Sequence, residues 1–193
     1  MEANLEVHFY DYNRMKKILK DFDPELRKAM DREIRGFLKP LAKDAKGILP
    51  PMSPMSNWAR KPVSSDADWA KRRWDETAIK AGISVRQGGA RSKGSATTSM
   101  WRLINRSPAG SIYELAGNRR ASETPQGQAF IARIEKVGGE TVRTSRGKPG
   151  GRLIWKAYEK AGGDAAITRQ VYEIARRYEQ MLVRAVNERG RLK

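Results

Sequence analysis

From Leu26 to Ala45, apolar side chains recur at Leu26, Met30, Ile34, Phe37, Leu38, Leu41 and Ala45, which is one face of a 3.6-residue period. Asp23-Pro24 opens this stretch, because Asp can accept the free N–H groups of a first helical turn and Pro is tolerated at the first helical position. Pro50, Pro51 and Pro54 close it, since three prolines so near one another cannot continue a helix. The spacing predicts a helix over 24–46, with Pro40 kinking or dividing it. The opposite face carries Arg27, Lys28, Arg32, Arg35, Lys39 and Lys43, relieved by Asp31 and Asp44. Such a helix either covers a core and leaves a basic back in water, or offers that back to a polyanion.

Charge decides which partners are worth considering. The chain has 193 residues with 39 Lys and Arg against 22 Asp and Glu, a formal net charge of +17. That excess favours nucleic acid over an acidic protein or a membrane surface, and a solvated basic surface is the plain alternative. There is no Cys, so disulfides, thiolate metal sites and thiol nucleophiles are excluded. The single His, His8, lies in a polar stretch and reads as a solvated side chain. No apolar run approaches the ~18 residues of a membrane span. Residues 1–14 lack a basic segment followed by an apolar one, so no signal peptide is expected. The length fits one domain with insertions.

The rest of the chain reads as an α+β domain. Leu5, Val7 and Phe9 alternate with polar residues and predict a short strand or arm within 1–23, before Tyr12, Met15, Ile18 and Leu19 fall at helical spacing. Residues 47–77 form a Pro- and Trp-rich loop holding Trp58, Trp69 and Trp74, with one or two helical turns possible between Asp66 and Trp74. The three indoles are expected to pack over the core edge or against a neighbouring subunit. Residues 78–158 read as a small antiparallel sheet with insertions. Ala78–Val85 is its first strand, and Arg86 to Ser95 is a basic Gly-rich loop. Met100–Ile104 and Ile112–Leu115 are predicted to pair as a hairpin across Arg106 to Gly110. Phe130, Ile131, Ile134 and Val137 mark a short helix ended by Gly138-Gly139. Thr141 to Gly151 is a second basic loop, and Leu153–Tyr158 is the last strand candidate. Ile167, Val171, Ile174, Tyr178, Met181, Leu182 and Ala185 form one stripe of a C-terminal helix over 164–190, expected to pack on the sheet.

No catalytic constellation emerges, and neither an enzyme activity nor a cofactor is expected. Asp31, Glu33 and Asp44 sit at no metal-ligand spacing. Asp66, Asp68, Asp75 and Glu76 would bind a divalent ion only if they converged, and a metal-dependent nuclease would need that cluster beside basic residues. Gly88-Gly89 and Gly150-Gly151 lack the spacing and the strand–helix setting of phosphate-binding loops.

The order of these segments resembles the tail-completion proteins of long-tailed bacteriophages, the minor tail or neck proteins of lambda-like siphophages and their actinobacteriophage relatives. In that family an Ala- and Arg-rich helix ending in Ala-Pro precedes a hairpin whose second strand reads Tyr-x-x-Phe-Val-Glu-Phe-Gly, and a Pro-Phe-Leu-Arg-Pro-Ala segment enters the last helix. Here Ile48-Leu49-Pro50 matches the helix-ending Pro, and Ile112-Tyr113-Glu114-Leu115-Ala116-Gly117 stands where the aromatic–acid–Gly element belongs. Arg152-Leu153-Ile154-Trp155-Lys156-Ala157 stands where the last segment belongs. The likeness spans residues 24–185. It departs where Met55-Ser56-Asn57-Trp58 replaces Thr-Gly-x-Leu, in the absence of Pro near Lys156, and in the longer stretch 118–151.

The resemblance implies a virion protein, assembled in the bacterial cytoplasm and forming or joining a ring, expected to be hexameric, at the head–tail joint. Its partners would be itself, the neighbouring connector, stopper, terminator or tail-tube proteins, and double-stranded DNA in the lumen, with no membrane. Arg86, Arg91, Lys93, Arg143, Arg146 and Lys148 would then face the DNA channel, and Trp58, Trp69, Trp74, Tyr113 and Glu114 would lie at subunit or ring interfaces. The alternatives are a free, sequence-independent nucleic-acid-binding protein and, behind it, a nuclease using Asp66 and Asp68.

Overall fold

The computed structural model describes residues 3–8, 18–21, 23–55, 57–59, 72–87, 99–117, 123–142 and 150–191. Its elements follow the order β1 (Ala3–His8), α1 (Pro24–Ile48), α2 (Glu76–Gly82), β2 (Ile83–Gln87), β3 (Ser99–Asn105), α3 (Pro108–Leu115), α4 (Pro125–Gly138), α5 (Ile154–Lys160) and α6 (Gly163–Arg191). The class is α+β, as the sequence predicts.

Helix α1 starts where the sequence places its start. The Asp23 carboxylate accepts the N–H groups of Glu25 at 3.1 Å and Leu26 at 2.9 Å. Met30, Ile34, Leu38, Leu41, Ala42 and Ala45 are buried along one face, each large side chain contributing about 1.5–3 kcal/mol on leaving water. Pro40 does not divide the helix. Buried residues on both sides of it hold one axis, and the carbonyl of exposed Gly36, which loses its N–H partner, stands where water can serve it. The buried face meets β2, β3, α5 and α6.

The sheet has the order β1-β3-β2, antiparallel throughout, with β3 in the centre. Leu103 stands opposite Leu5 on one side and Val85 on the other. Strands β2 and β3 are an antiparallel pair, and most of the first basic segment, from residue 88 on, lies outside the described residues. Trp101 and Leu103 on β3 and Ile83 on β2 join the main core with the stripe of α1. On α6, Ile167, Val171, Ile174, Tyr178 and Leu182 are buried, whereas Met181 is exposed.

Three predicted strands are corrected. Residues 78–82 are helical, because Asp75 caps α2 by accepting the Ala78 N–H at 3.0 Å, and the strand begins only at Ile83. Ile112–Leu115 belongs to helix α3, so the hairpin across 106–110 does not form. There Ser107 caps the helix by accepting the Gly110 N–H at 3.3 Å, and Pro108 occupies a first-turn position, so the Ser-Pro pair starts a helix instead of turning a hairpin. Leu153–Tyr158 is likewise helical from Ile154, for a reason that lies elsewhere in the chain. The helical turn expected between Asp66 and Trp74 falls largely outside the described residues. No helix among the described residues is long and apolar enough to cross a membrane.

Candidate functional site

Four polar side chains are buried among the described residues: Asn105, Ser111, Glu114 and Arg152. All four tie backbone together. Asn105 accepts the Ser107 N–H on its side-chain oxygen at 3.0 Å, and the Ser111 hydroxyl donates to the Asn105 carbonyl at 3.1 Å, which fixes the step from β3 into α3.

Glu114 and Arg152 gather the ends of three helices. Helix α5 has no side-chain cap of its own. Glu114 on α3 supplies one from 39 to 41 residues away, accepting the N–H groups of Leu153 at 2.6 Å, Ile154 at 3.0 Å and Trp155 at 3.3 Å. A carboxylate at a helix N-terminus meets both the unpaired donors and the positive end of the dipole. Arg152 does the converse at two C-terminal ends. Its Nη1 donates to the carbonyls of Tyr113 at 3.1 Å and Ala116 at 2.5 Å, and its Nε to Gly139 at 2.9 Å. Its Nη2 lies 3.5 Å from a Glu135 oxygen on α4. Lys156 adds a second cation to the end of α4, donating to the Gly138 carbonyl at 2.6 Å.

The fit explains two glycines. A Cβ on Gly151 would stand 2.1 Å from a Glu114 carboxylate oxygen, so nothing larger can sit beside that acid. Gly139 ends α4 with φ +72°, a conformation that side chains disfavour.

Burial sets the electrostatics of this centre. It pushes the Glu114 carboxyl up to about 7, against the opposing pull of the three N–H bonds and of Arg152. It raises the Tyr113 hydroxyl and lowers the Arg152 guanidinium for the same reason, removal of a charge from water.

The residues predicted for interfaces are therefore corrected. Tyr113 and Glu114 are fully buried within this chain, and Trp58 and Trp74 are buried too. Trp58 packs at a tilt against Trp74 at 5.2 Å and Phe130 at 5.6 Å between ring centres, and Trp74 meets Tyr113 edge-on at 5.3 Å. The Trp58 indole donates to the Arg72 carbonyl at 2.7 Å, and the Trp74 N–H to the Trp58 carbonyl at 2.9 Å. This aromatic cluster packs the chain against itself, the core-edge alternative of the two expected for the indoles. Trp69 lies outside the described residues.

Of the predicted DNA-facing cations, Arg86 is exposed on β2, next to the first basic segment. Arg91 and Lys93, and in the second segment Arg143, Arg146 and Lys148, lie outside the described residues. The base of the second segment is fastened by Val142 N–H to Gly151 carbonyl at 3.2 Å and Gly150 N–H to Val142 carbonyl at 2.9 Å, beside Arg152. Arg152 itself, which reads in the sequence as one more loop cation, is wholly internal.

No group of three or more His, Asp or Glu among the described residues could hold a metal ion. Two of the four acids weighed for a nuclease, Asp75 and Glu76, begin α2, where Asp75 caps and Glu76 pairs with Lys80. A groove of about 570 Å³ between α3 and α4 is lined mainly by Ile112, Leu115, Phe130 and Ile131, with Arg72 on its wall and no acid–base pair. No protein-family model, curated protein or solved structure matches this chain.

Proposed function

We propose that this protein is a structural component of a bacteriophage neck or tail. In this reading it completes the tail or joins it to the head, as part of an oligomeric ring around the DNA channel, and it is not an enzyme. One observation carries the reading. The buried ionisable groups Glu114 and Arg152 fasten helix ends, which leaves the surface of a chain of net charge +17 to do the work.

A polycationic surface on a rigid scaffold suits phosphate contact without sequence readout. In the ring, the cations Arg86, Arg91, Lys93, Arg143, Arg146 and Lys148 meet the DNA, and other faces meet the neighbouring neck proteins. The order of segments likened above to tail-completion proteins supports this, although two of the strands in that likeness are helices here. A free nucleic-acid-binding protein is the second reading, favoured by the exposed cations of α1.

Deletion of the gene from its parent genome, followed by electron microscopy of the particles, tests the proposal. DNA-filled heads and unjoined tails are the expected result. Normal infectious particles would overturn it.

A further inference from the structure

Helix α1 carries a surface distinct from both basic segments. Lys28, Arg32, Arg35, Lys39 and Lys43 are all exposed. Their steps of four, three, four and four residues keep them on one side of the helix, opposite its buried face. They form a row about 22 Å long on one rigid element.

Two of the four carboxylates of α1, Asp31 and Glu33, are drawn off that row, while Glu25 and Asp44 are exposed. Asp31 is held toward β2, where Gln87 donates to both of its oxygens at 3.2 Å, and Arg27 lies 3.9 Å away. Glu33 is held toward α6, accepting from Arg177 at 2.8 Å and from the Tyr178 hydroxyl at 2.9 Å. Glu25 reaches Lys28 at 2.7 Å, but both partners are largely exposed and water competes for each. Arg32, Arg35, Lys39 and Lys43 make no ion pair among the described residues. The outer side of α6 is different, because acids are interleaved there and pairs such as Arg169 with Glu173 at 3.0 Å screen the charge.

We propose that this row of α1 is a binding surface for the phosphate backbone of double-stranded DNA. Unpaired cations at steps of roughly 4.5–6 Å along a helix meet a polyanion carrying one charge per about 1.7 Å of its axis. Gly36 and Pro40, exposed beside the row, supply no large apolar anchor and no charged acceptor. That suits a backbone contact better than a protein interface, which needs buried anchors at its centre. The helix is already ordered, so binding does not have to fix a flexible segment. The surface reads charge and not sequence. The inference stands apart from the neck reading, since the row would bind duplex in a ring or as a free protein.

The test is fluorescence anisotropy of the full chain with a labelled duplex of arbitrary sequence across a salt series. The variant R32Q/R35Q/K39Q/K43Q is compared with R91Q/K93Q/R146Q/K148Q, and thermal melting verifies that each is folded. Wild type is expected to bind with strong salt dependence. The α1 variant should lose affinity at every salt concentration, and its slope of log affinity against log salt should flatten by about 3.6, or ~0.9 for each of four phosphates. The loop variant should keep the larger part of the wild-type slope. Wild-type affinity and slope in the α1 variant would overturn the inference, and so would a loss confined to the loop variant. Because it reads the purified protein, the result is independent of the particle phenotype that decides the neck reading.

Discussion

The charges of this protein are organised in two opposite ways. At the meeting of α3, α4 and α5, one buried acid and one buried arginine are surrounded by bonding partners. Along α1, exposed cations stand in a row with almost none. The buried centre is strong because desolvation makes every lost partner costly. The row is individually weak because water serves each cation, but it is free to act outward. Charge that builds the fold and charge available to a partner are thus separated by burial and not by residue type.

This contrast can be broken at several points. The largest effect is expected for Arg152→Ala, which strips donors from three carbonyls and leaves Glu135 without its cation. Loss of one member of such a buried set removes about 3–5 kcal/mol, to be read from urea denaturation at neutral pH. Glu114→Ala leaves the buried N–H groups of Leu153 and Ile154 and the part-buried one of Trp155 without an acceptor, and should remove roughly 2–4 kcal/mol, the lower part of the range set by about 1–3 kcal/mol for each of the two buried donors. Gly151→Ala drives a methyl into the Glu114 carboxylate and should remove about 1–3 kcal/mol.

Glu114→Gln sharpens the electrostatic side of the comparison. Burial raises the folded carboxyl to about 7 from an ordinary value of 4.5, so the folded state holds the proton more firmly than the unfolded one. The contribution of Glu114 is then fully present below pH 4.5 and is lost as pH rises through about 7. The stability advantage of wild type over Glu114→Gln should therefore shrink across that window, as measured by denaturation at a series of pH values. An advantage that grows with pH would contradict the assignment. The smallest effect belongs to the row. Replacing Arg32, Arg35, Lys39 and Lys43 by Gln should leave stability unchanged or raise it by a few tenths of a kcal/mol, because like charges one turn apart repel. A loss of more than about 1 kcal/mol would mean that the row serves the fold after all.

Helix α1 was legible in the sequence because its signals are local: Asp23 and Pro24 at the start, an apolar stripe, and prolines after the end. In α4 and α6 the apolar spacing agrees with burial only in part, since Ile134 is buried but Val137 is exposed on α4, and Met181 is exposed on α6. Helix α3 was misread as a strand although Ser107-Pro108 announces it, since Gly110 and the flanking apolar runs imitate a hairpin. Helix α5 could not be read locally at all. Leu153 caps nothing, and the carboxylate that completes the first turn sits on another helix. For the same reason Arg152 looked like another loop cation, because nothing adjacent to it in sequence reveals the three carbonyls around it. For the indoles of Trp58 and Trp74 the sequence leaves open a place over the core edge or against a neighbouring subunit, because their partners, Phe130 and Tyr113, lie far along the chain.

The remote cap on α5 also has a temporal meaning. Seven residues are too few for a helix to persist alone, and this one begins only when Glu114 arrives. Helix α5 is therefore expected to form after α3 has docked, and α1, which carries its own start signal, before it. The amides of Leu153, Ile154 and Trp155 should exchange with solvent in step with one another, through the single opening event that withdraws Glu114.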